Sequence, residues 1–220
     1  MRHLVTGSGS GIGRVVAERL LARGDEVWAV VRRSGRAPEG CVEVVADLAD
    51  GPSLEALAAW PEWPQTFDSV VHAAGVVELG RIADLGSAAW REQLDVNLVA
   101  PALLTRAVLP QLRAARGTVV FVNSGAGLRA NPEWSAYAAS KFGLRALADA
   151  LREEEPLLRV TSVFPGRTAT AMQEKVHAQE GREYDAGAWI RPETVADAII
   201  SALDLSRDAT TPEIVIRPAR

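Results

Sequence analysis

Tyr137 and Lys141 stand four residues apart, and no other pair in this chain is better suited to moving a proton. On a helix that spacing puts both side chains on one face. A phenol alone titrates near pH ~10, and a neighbouring ammonium stabilises the phenolate and lowers that value. Tyr137 could then give a proton to a carbonyl oxygen or take one from an alcohol. A second feature stands near the other end, where residues 6–13 read Thr-Gly-Ser-Gly-Ser-Gly-Ile-Gly. Glycines let backbone approach a phosphate closely. A helix starting there would aim its free N–H groups at the anion.

The elements needed to position these groups follow from the apolar pattern. His3-Leu-Val is a short buried strand ending at the glycines, and Gly11 to Arg23 has helical spacing at Ile12, Val15, Val16, Leu20 and Leu21. Further strands are expected at Val27–Val31, Val42–Ala46, Phe67–Ala73, Thr118–Asn123, Val160–Phe164 and Glu213–Ile216. Helices are expected at Leu54–Trp60, Ser135–Glu154 and Pro192–Leu203. Ser87 to Arg116 reads as two helices broken near Pro101, or one bent helix. Strands alternate with helices, and most strands are apolar without alternation. A parallel sheet covered on both faces by helices explains that pattern: an α/β, three-layer, doubly wound fold of about seven strands. There is no linker, repeat or shift in composition, so residues 1–220 read as one domain. Residues 167–191 are polar and weakly patterned after a strand end, which predicts a substrate lid.

The glycine spacing T-G-x-x-x-G-x-G, with Tyr137-x-x-x-Lys141, Ser124 before the tyrosine and Asn97 before the serine, resembles the short-chain dehydrogenase/reductase family in its short, single-domain branch. Its extended branch of epimerases and dehydratases has another glycine spacing and a longer chain. The resemblance runs from the glycine loop to the final strand. It implies a Rossmann-type sheet in the order 3-2-1-4-5-6-7. It also implies hydride transfer between a nicotinamide cofactor and a carbonyl or secondary alcohol, with catalytic residues Asn97, Ser124, Tyr137 and Lys141. By the same resemblance Ser124 holds the reacting oxygen, Lys141 also binds the nicotinamide ribose, and Asn97 kinks its helix and holds a water linking Lys141 to solvent. The cofactor would lie along Gly7, Ser8, Ser10, Gly11, Ile12 and Gly13, then Asp47 and Leu48 after the third strand. It would continue past Ala73, Ala74 and Gly75 in the His72-Ala-Ala-Gly stretch, where the family has N-N-A-G. Pro165, Gly166, Thr168 and Thr170 match P-G-x-x-x-T-x-M, with the threonines toward the carboxamide.

The second strand ends in Arg32-Arg33, and no Asp or Glu lies between Val27 and Pro38. An acidic residue there reads the ribose hydroxyls of NAD, whereas a guanidinium suits a 2′-phosphate. NADP(H) is therefore expected ahead of NAD(H), although Ser10 stands where NADP-preferring relatives often carry a basic residue. Substrate contacts are expected from Ser124, Ala126, Trp134, Tyr137 and Arg167, with Gly125, Leu128, His177 and Trp189 as further pocket candidates. Trp134 reads equally as a pocket wall or as interface packing. Arg167 reads as a partner for an anionic substrate group or for a lid carboxylate such as Glu174.

The 220 residues include 48% hydrophobic and 24% charged residues, with a net charge of −4. With no basic block, nucleic acid is not an expected partner. No run is long and apolar enough to span a bilayer. Cys41 is alone, and the first strand begins almost at Met1, so a reducing, cytoplasmic setting without signal peptide is expected. No metal-ligand spacing is apparent among His3, His72, His177 and Cys41. The helix from Ser135 carries apolar residues on more than one face, and in the family such helices pack on a second subunit. A homodimer, or else a homotetramer, is expected. Two other readings remain: a non-catalytic NADP(H) redox sensor, and an epimerase or dehydratase that keeps its cofactor bound.

Overall fold

The computed structural model describes every residue except Ala59 and Arg220, and Ala58 by its backbone alone. Seven parallel strands form one sheet: β1 (Arg2–Thr6), β2 (Glu26–Val31), β3 (Val42–Val45), β4 (Ser69–His72), β5 (Thr118–Val122), β6 (Arg159–Pro165) and β7 (Glu213–Ile216). Their order is β3-β2-β1-β4-β5-β6-β7. The order reverses between β1 and β4, so connections leave in opposite directions there and a crevice opens beyond the strand ends.

Neighbouring residues along the central strands feed opposite cores, which is why those strands are apolar without alternation. Leu4, Trp28, Val70 and Phe121 enter one cluster with Leu104 and Leu144, on α4 (Ala100–Ala115) and α5 (Ser135–Glu154). Val5, Val27, Val71 and Val120 enter the other with Val16 and Ile199, on α1 (Gly11–Ala22) and α7 (Pro192–Leu203). The described residues contain no helix long and apolar enough to cross a membrane.

Three predicted segments differ from the structure. The helix expected at Leu54–Trp60 is α2, Gly51–Ala58. Its start signals were Asp50, whose carboxylate accepts the Ser53 N–H at 3.2 Å, and Pro52 in the first turn. The Ala59 part of that prediction, like the terminal Arg220, lies outside the described residues. The break expected near Pro101 in Ser87–Arg116 lies just before that residue. It is a π-helical turn, Asp95–Val99, between α3 (Ser87–Leu94) and α4, and Pro101 falls harmlessly in the first turn of α4. Finally, residues 167–191 hold a helix, α6 (Ala171–Gln179). Only Gln173, Val176 and His177 are buried on it, and two of these are polar, so its apolar periodicity is nearly absent.

Gly13 fixes how closely α1 follows β1. A Cβ there would lie 2.6 Å from the Gly7 carbonyl oxygen, which is backbone and cannot swing away. Gly13→Ala should therefore lower stability by about 1–3 kcal/mol, the usual cost of overpacking, read from the urea midpoint. An unchanged midpoint would mean that this contact does not set the helix position.

Candidate active site

A cleft of about 840 Å³ runs along the carboxyl ends of the strands, over the crevice between β1 and β4. Gly7, Ser10, Gly11 and Ile12 line it, together with Gly9. Gly7 and Gly11 adopt φ of 69° and 55°, left-handed conformations that favour glycine. A Cβ on Gly7 would sit 2.7 Å from the Ala74 nitrogen, and one on Gly11 would sit 3.3 Å from Thr170 Cγ2. The glycines thus keep open a channel that any side chain would narrow. At the head of α1 the Ser10 side chain makes no capping bond, and the first turn has no acidic residue. Its N–H groups and dipole are left for an anion. Ser8 and Gly13, expected to contact the cofactor, are instead buried and do not line the cleft. Gly13 serves helix packing, and the Ser8 hydroxyl is enclosed without a hydrogen-bond partner.

One end of the cleft is bordered by Arg32, Arg33, Asp47 and Leu48, joined by Arg36, which the sequence reading did not single out. The Asp47 carboxylate accepts the Ala49 N–H at 2.9 Å, shaping its own turn. In the middle, the Thr6 hydroxyl accepts the N–H groups of both Ala73 and Ala74 at 3.1 Å. That bond pins the β4 exit beside the glycine loop, although no asparagine stands there. His72 turns into the core, 2.8 Å from the Thr105 hydroxyl and stacked on Phe121. Burial pushes its pKa down to about 3, so it is a neutral packing residue.

Asn97, Ser124, Tyr137 and Lys141 come together at the other end. α5 carries Tyr137 and Lys141 on its buried face, and Ser124 follows β5. Lys141 Nζ donates to the Val122 carbonyl at 3.0 Å and lies 5.8 Å from the Tyr137 ring centre. Asn97, in the π-turn, donates to the Val76 carbonyl at 2.9 Å and to the Ser140 hydroxyl at 3.0 Å, and accepts the Val76 N–H at 2.8 Å. Both of its N–H bonds are therefore committed, so the expected water-holding role does not fall to its side-chain donors. Ser140 in turn donates to the Tyr137 carbonyl at 2.7 Å. Asn123, also missed from sequence, accepts the Ser124 N–H at 2.8 Å and donates to the Lys141 carbonyl at 3.1 Å. Sequence alone could not couple residues so far apart in the chain.

The Tyr137 pKa is raised, against the expected lowering. Burial of the phenol dominates, and the Ser124 hydroxyl only partly offsets it. Burial also pushes Lys141 down to about 8. At neutral pH the phenol thus keeps its proton and most of the ammonium keeps its charge.

Pro165 at the end of β6, and Gly166, Thr168 and Thr170 after it, line the cleft. Thr168 donates to the Gly166 carbonyl at 3.0 Å, and Thr170 caps α6. Ala126 and Trp134 also line it, with Trp134 edge-on to Tyr137 at 5.7 Å. Trp134 therefore walls the pocket. Arg167 pairs with Glu180, not Glu174, through two bonds of 2.9 and 2.6 Å. Its guanidinium lies 6.0 Å from the Trp134 ring centre and 5.4 Å from that of Trp189. Gly125 reaches the cleft, whereas Leu128, His177 and Trp189 stand outside its lining.

A family profile described as short chain dehydrogenase matches residues 2–181. The chain belongs to the short-chain dehydrogenase family. An uncharacterized oxidoreductase of Schizosaccharomyces pombe is 33% identical over 189 residues, covering 82% of this chain and 76% of the yeast protein. Among solved structures, an alcohol dehydrogenase from the archaeon Thermococcus sibiricus, complexed with 5-hydroxy-NADP, superposes with a TM-score of 0.88 at 22% identity, covering 99% of this chain and 96% of that one. A 4-hydroxyisoleucine dehydrogenase complexed with NADH gives 0.86 at 25% identity, with coverage of 99% and 97%. The chain is thus a short-chain dehydrogenase family oxidoreductase with the nicotinamide-dinucleotide fold.

The Lys141 shift has a measurable consequence. Between pH about 8 and the ordinary lysine value near ~10.5, the unfolded chain holds a proton that the folded chain has released. Stability gained in that window is lost as pH falls from its upper to its lower edge. Lys141→Met abolishes this dependence, so it should gain on the wild type as pH falls from about 10 to about 8 in paired urea titrations. A constant difference would show that the ammonium is not paying for its burial.

Proposed function

We propose that this protein transfers a hydride between NADP(H) and a carbonyl or secondary-alcohol substrate by a Ser-Tyr-Lys mechanism. The observation that carries the reading is a buried phenol beside a buried lysine, at the end of a cleft that begins in an anion-ready glycine loop. The nicotinamide, when bound, supplies the hydride. The residues do the rest. The open glycine loop and the uncapped N-terminus of α1 receive the pyrophosphate, with Ser10, Gly11 and Ile12 against it. Arg32 and Arg33 read the 2′-phosphate, and NAD(H) remains a weaker alternative. Asp47 and Leu48 border the adenine, Ala73, Ala74 and Gly75 the middle, and Pro165, Gly166, Thr168 and Thr170 the nicotinamide.

At the reacting end Ser124 orients the substrate oxygen, and Tyr137 donates its proton to that oxygen. Lys141 contacts the ribose and stabilises the phenolate left behind. Asn97 and Asn123 act as positioning residues. Ala126 and Trp134 wall the substrate, and Arg167, paired with Glu180, stands beside Trp134, under a lid formed by residues 167–191 of a single domain. The substrate is a small molecule.

A homodimer is our preferred assembly, with a homotetramer second: Phe142 on α5 and Val99 before α4 are exposed, at 43% and 40%. The lone Cys41 suits a cytoplasmic setting. The redox-sensor reading gains nothing from these residues, since sensing needs no buried proton donor.

Two experiments test the proposal. Tyr137→Phe should cut carbonyl-dependent NADPH oxidation at least about a hundredfold, the scale of general-acid catalysis, with NADPH fluorescence titration little changed. Retained turnover would remove Tyr137 as proton donor. Arg32→Ala with Arg33→Ala should weaken NADPH about tenfold or more and leave NADH nearly unaffected. Equal losses would mean that these arginines do not read the 2′-phosphate.

A further inference from the structure

The arginine-bearing turn after β2 is organised by a single carboxylate from the next strand. Glu43 lies on β3, paired with Ala29 of β2. Its two oxygens accept four donors from one short segment: the Ser34 hydroxyl at 2.7 Å, and the N–H groups of Gly35, Arg36 and Ala37 at 2.9, 3.1 and 3.1 Å. Bonds to an ionised acceptor are stronger than neutral ones. The Ser34 hydroxyl and then the loop amides pull the Glu43 pKa down to about 2, so the carboxylate stays charged at any working pH. Four consecutive residues of an otherwise exposed turn are thereby fixed.

What the turn presents is Arg36. Its Cβ and carbonyl lie 3.6 Å from where a Cβ on Gly9 would stand, so this residue rests against the glycine loop. Arg32, Arg33 and Arg36 all line the same end of the cleft, while Ser34, Gly35, Ala37 and Glu43 do not. Glu43 therefore grips the back of the turn and leaves the arginine side to the cleft. Its four neutral donors occupy the carboxylate's acceptor capacity and hold it ionised, facing the turn. Ser10, in the glycine loop, carries no charge where a cation would serve a phosphate. Arg36 reaches the same neighbourhood from the adjoining turn.

We propose that Arg36 is a third reader of the cofactor's 2′-phosphate and that Glu43 is its positioning residue, setting the preference for NADPH over NADH by holding the turn from Ser34 to Ala37. The inference rests on the NADP(H) reading above and adds two residues to it. Arg36 meets the phosphate directly, whereas Glu43 acts only through the turn.

The test is fluorescence titration of wild type, Glu43→Gln, Glu43→Ala and Arg36→Ala with NADPH and with NADH, alongside thermal melting of each apo protein. Gln keeps one acceptor oxygen and faces the remaining N–H groups with an NH₂, so it should fall between wild type and Ala. We expect Glu43→Ala and Arg36→Ala each to weaken NADPH about tenfold while NADH changes less than about twofold. Added to Arg36→Ala, Glu43→Ala should cost little more, because its effect passes through the residue already removed. Equal losses for both cofactors would reduce Glu43 to a support of strand β3 and overturn the proposal. So would an unchanged NADPH preference in Glu43→Ala, or independent, additive losses in the double variant. A wild type with no NADPH preference would overturn the NADP(H) reading itself, a result distinct from those three. Should the Glu43 variants melt at lower temperature, Arg36→Ala decides alone, since it keeps every main-chain donor to Glu43.

Discussion

An ammonium group almost wholly out of water needs an acceptor, and the carboxyl end of the sheet is arranged around the one that Lys141 finds. Unpartnered, a buried charge would be neutralised or expelled. The Val122 carbonyl, last in β5, meets it, and that single bond sets the depth at which α5 crosses the strand end. The neighbouring residue reinforces the same seam, since Asn123 bonds both to the Lys141 carbonyl and to the backbone that carries Ser124. A change in the height of α5 would therefore move serine, tyrosine and lysine together, so their mutual geometry survives small motions of the helix.

The π-turn ties a further layer to that seam. An extra residue in the helical turn lets Asn97 reach sideways to the chain leaving β4, at Val76, and to Ser140 on α5. Local disorder of the backbone ladder is tolerated because each of these buried groups is bonded. Such irregularities usually mark places where function outweighs regularity. Here the irregular turn carries Asn97, whose amide spans both the β4 exit and α5.

Much of this was legible in the residues. Apolar strands without alternation required cover on both faces, and the glycine loop required a strand before it and a helix after it. Helical spacing put Tyr137 and Lys141 on one face, and the family resemblance, with Ser124 and Asn97, singled them out. What stayed hidden shares one cause, which is that it depends on contacts between distant segments. Asn123 and Ser140 acquire meaning only once β5 lies under α5, and Arg36 only once its turn rests on Gly9. The direction of the Tyr137 shift follows from the depth of burial, which spacing does not encode. α6 escaped because its buried face uses glutamine and histidine, which bond to each other at 3.0 Å, in place of aliphatic side chains.

The segment that holds α6 leaves and rejoins the body at nearly one point. Thr168 and Ile190 bridge in parallel, with Ala169 N–H to the Ile190 carbonyl at 2.8 Å and Ile190 N–H to the Arg167 carbonyl at 3.1 Å. Its two roots are clasped, and between them Lys175 and Gln179 bond back to Val77, Glu78 and Leu79. Lengthening such a closed excursion costs only about 0.6 kcal/mol per doubling in closure entropy. The clasp would let descendants of this sequence vary the length of the excursion while the sheet and the buried Tyr137 and Lys141 stay where they are.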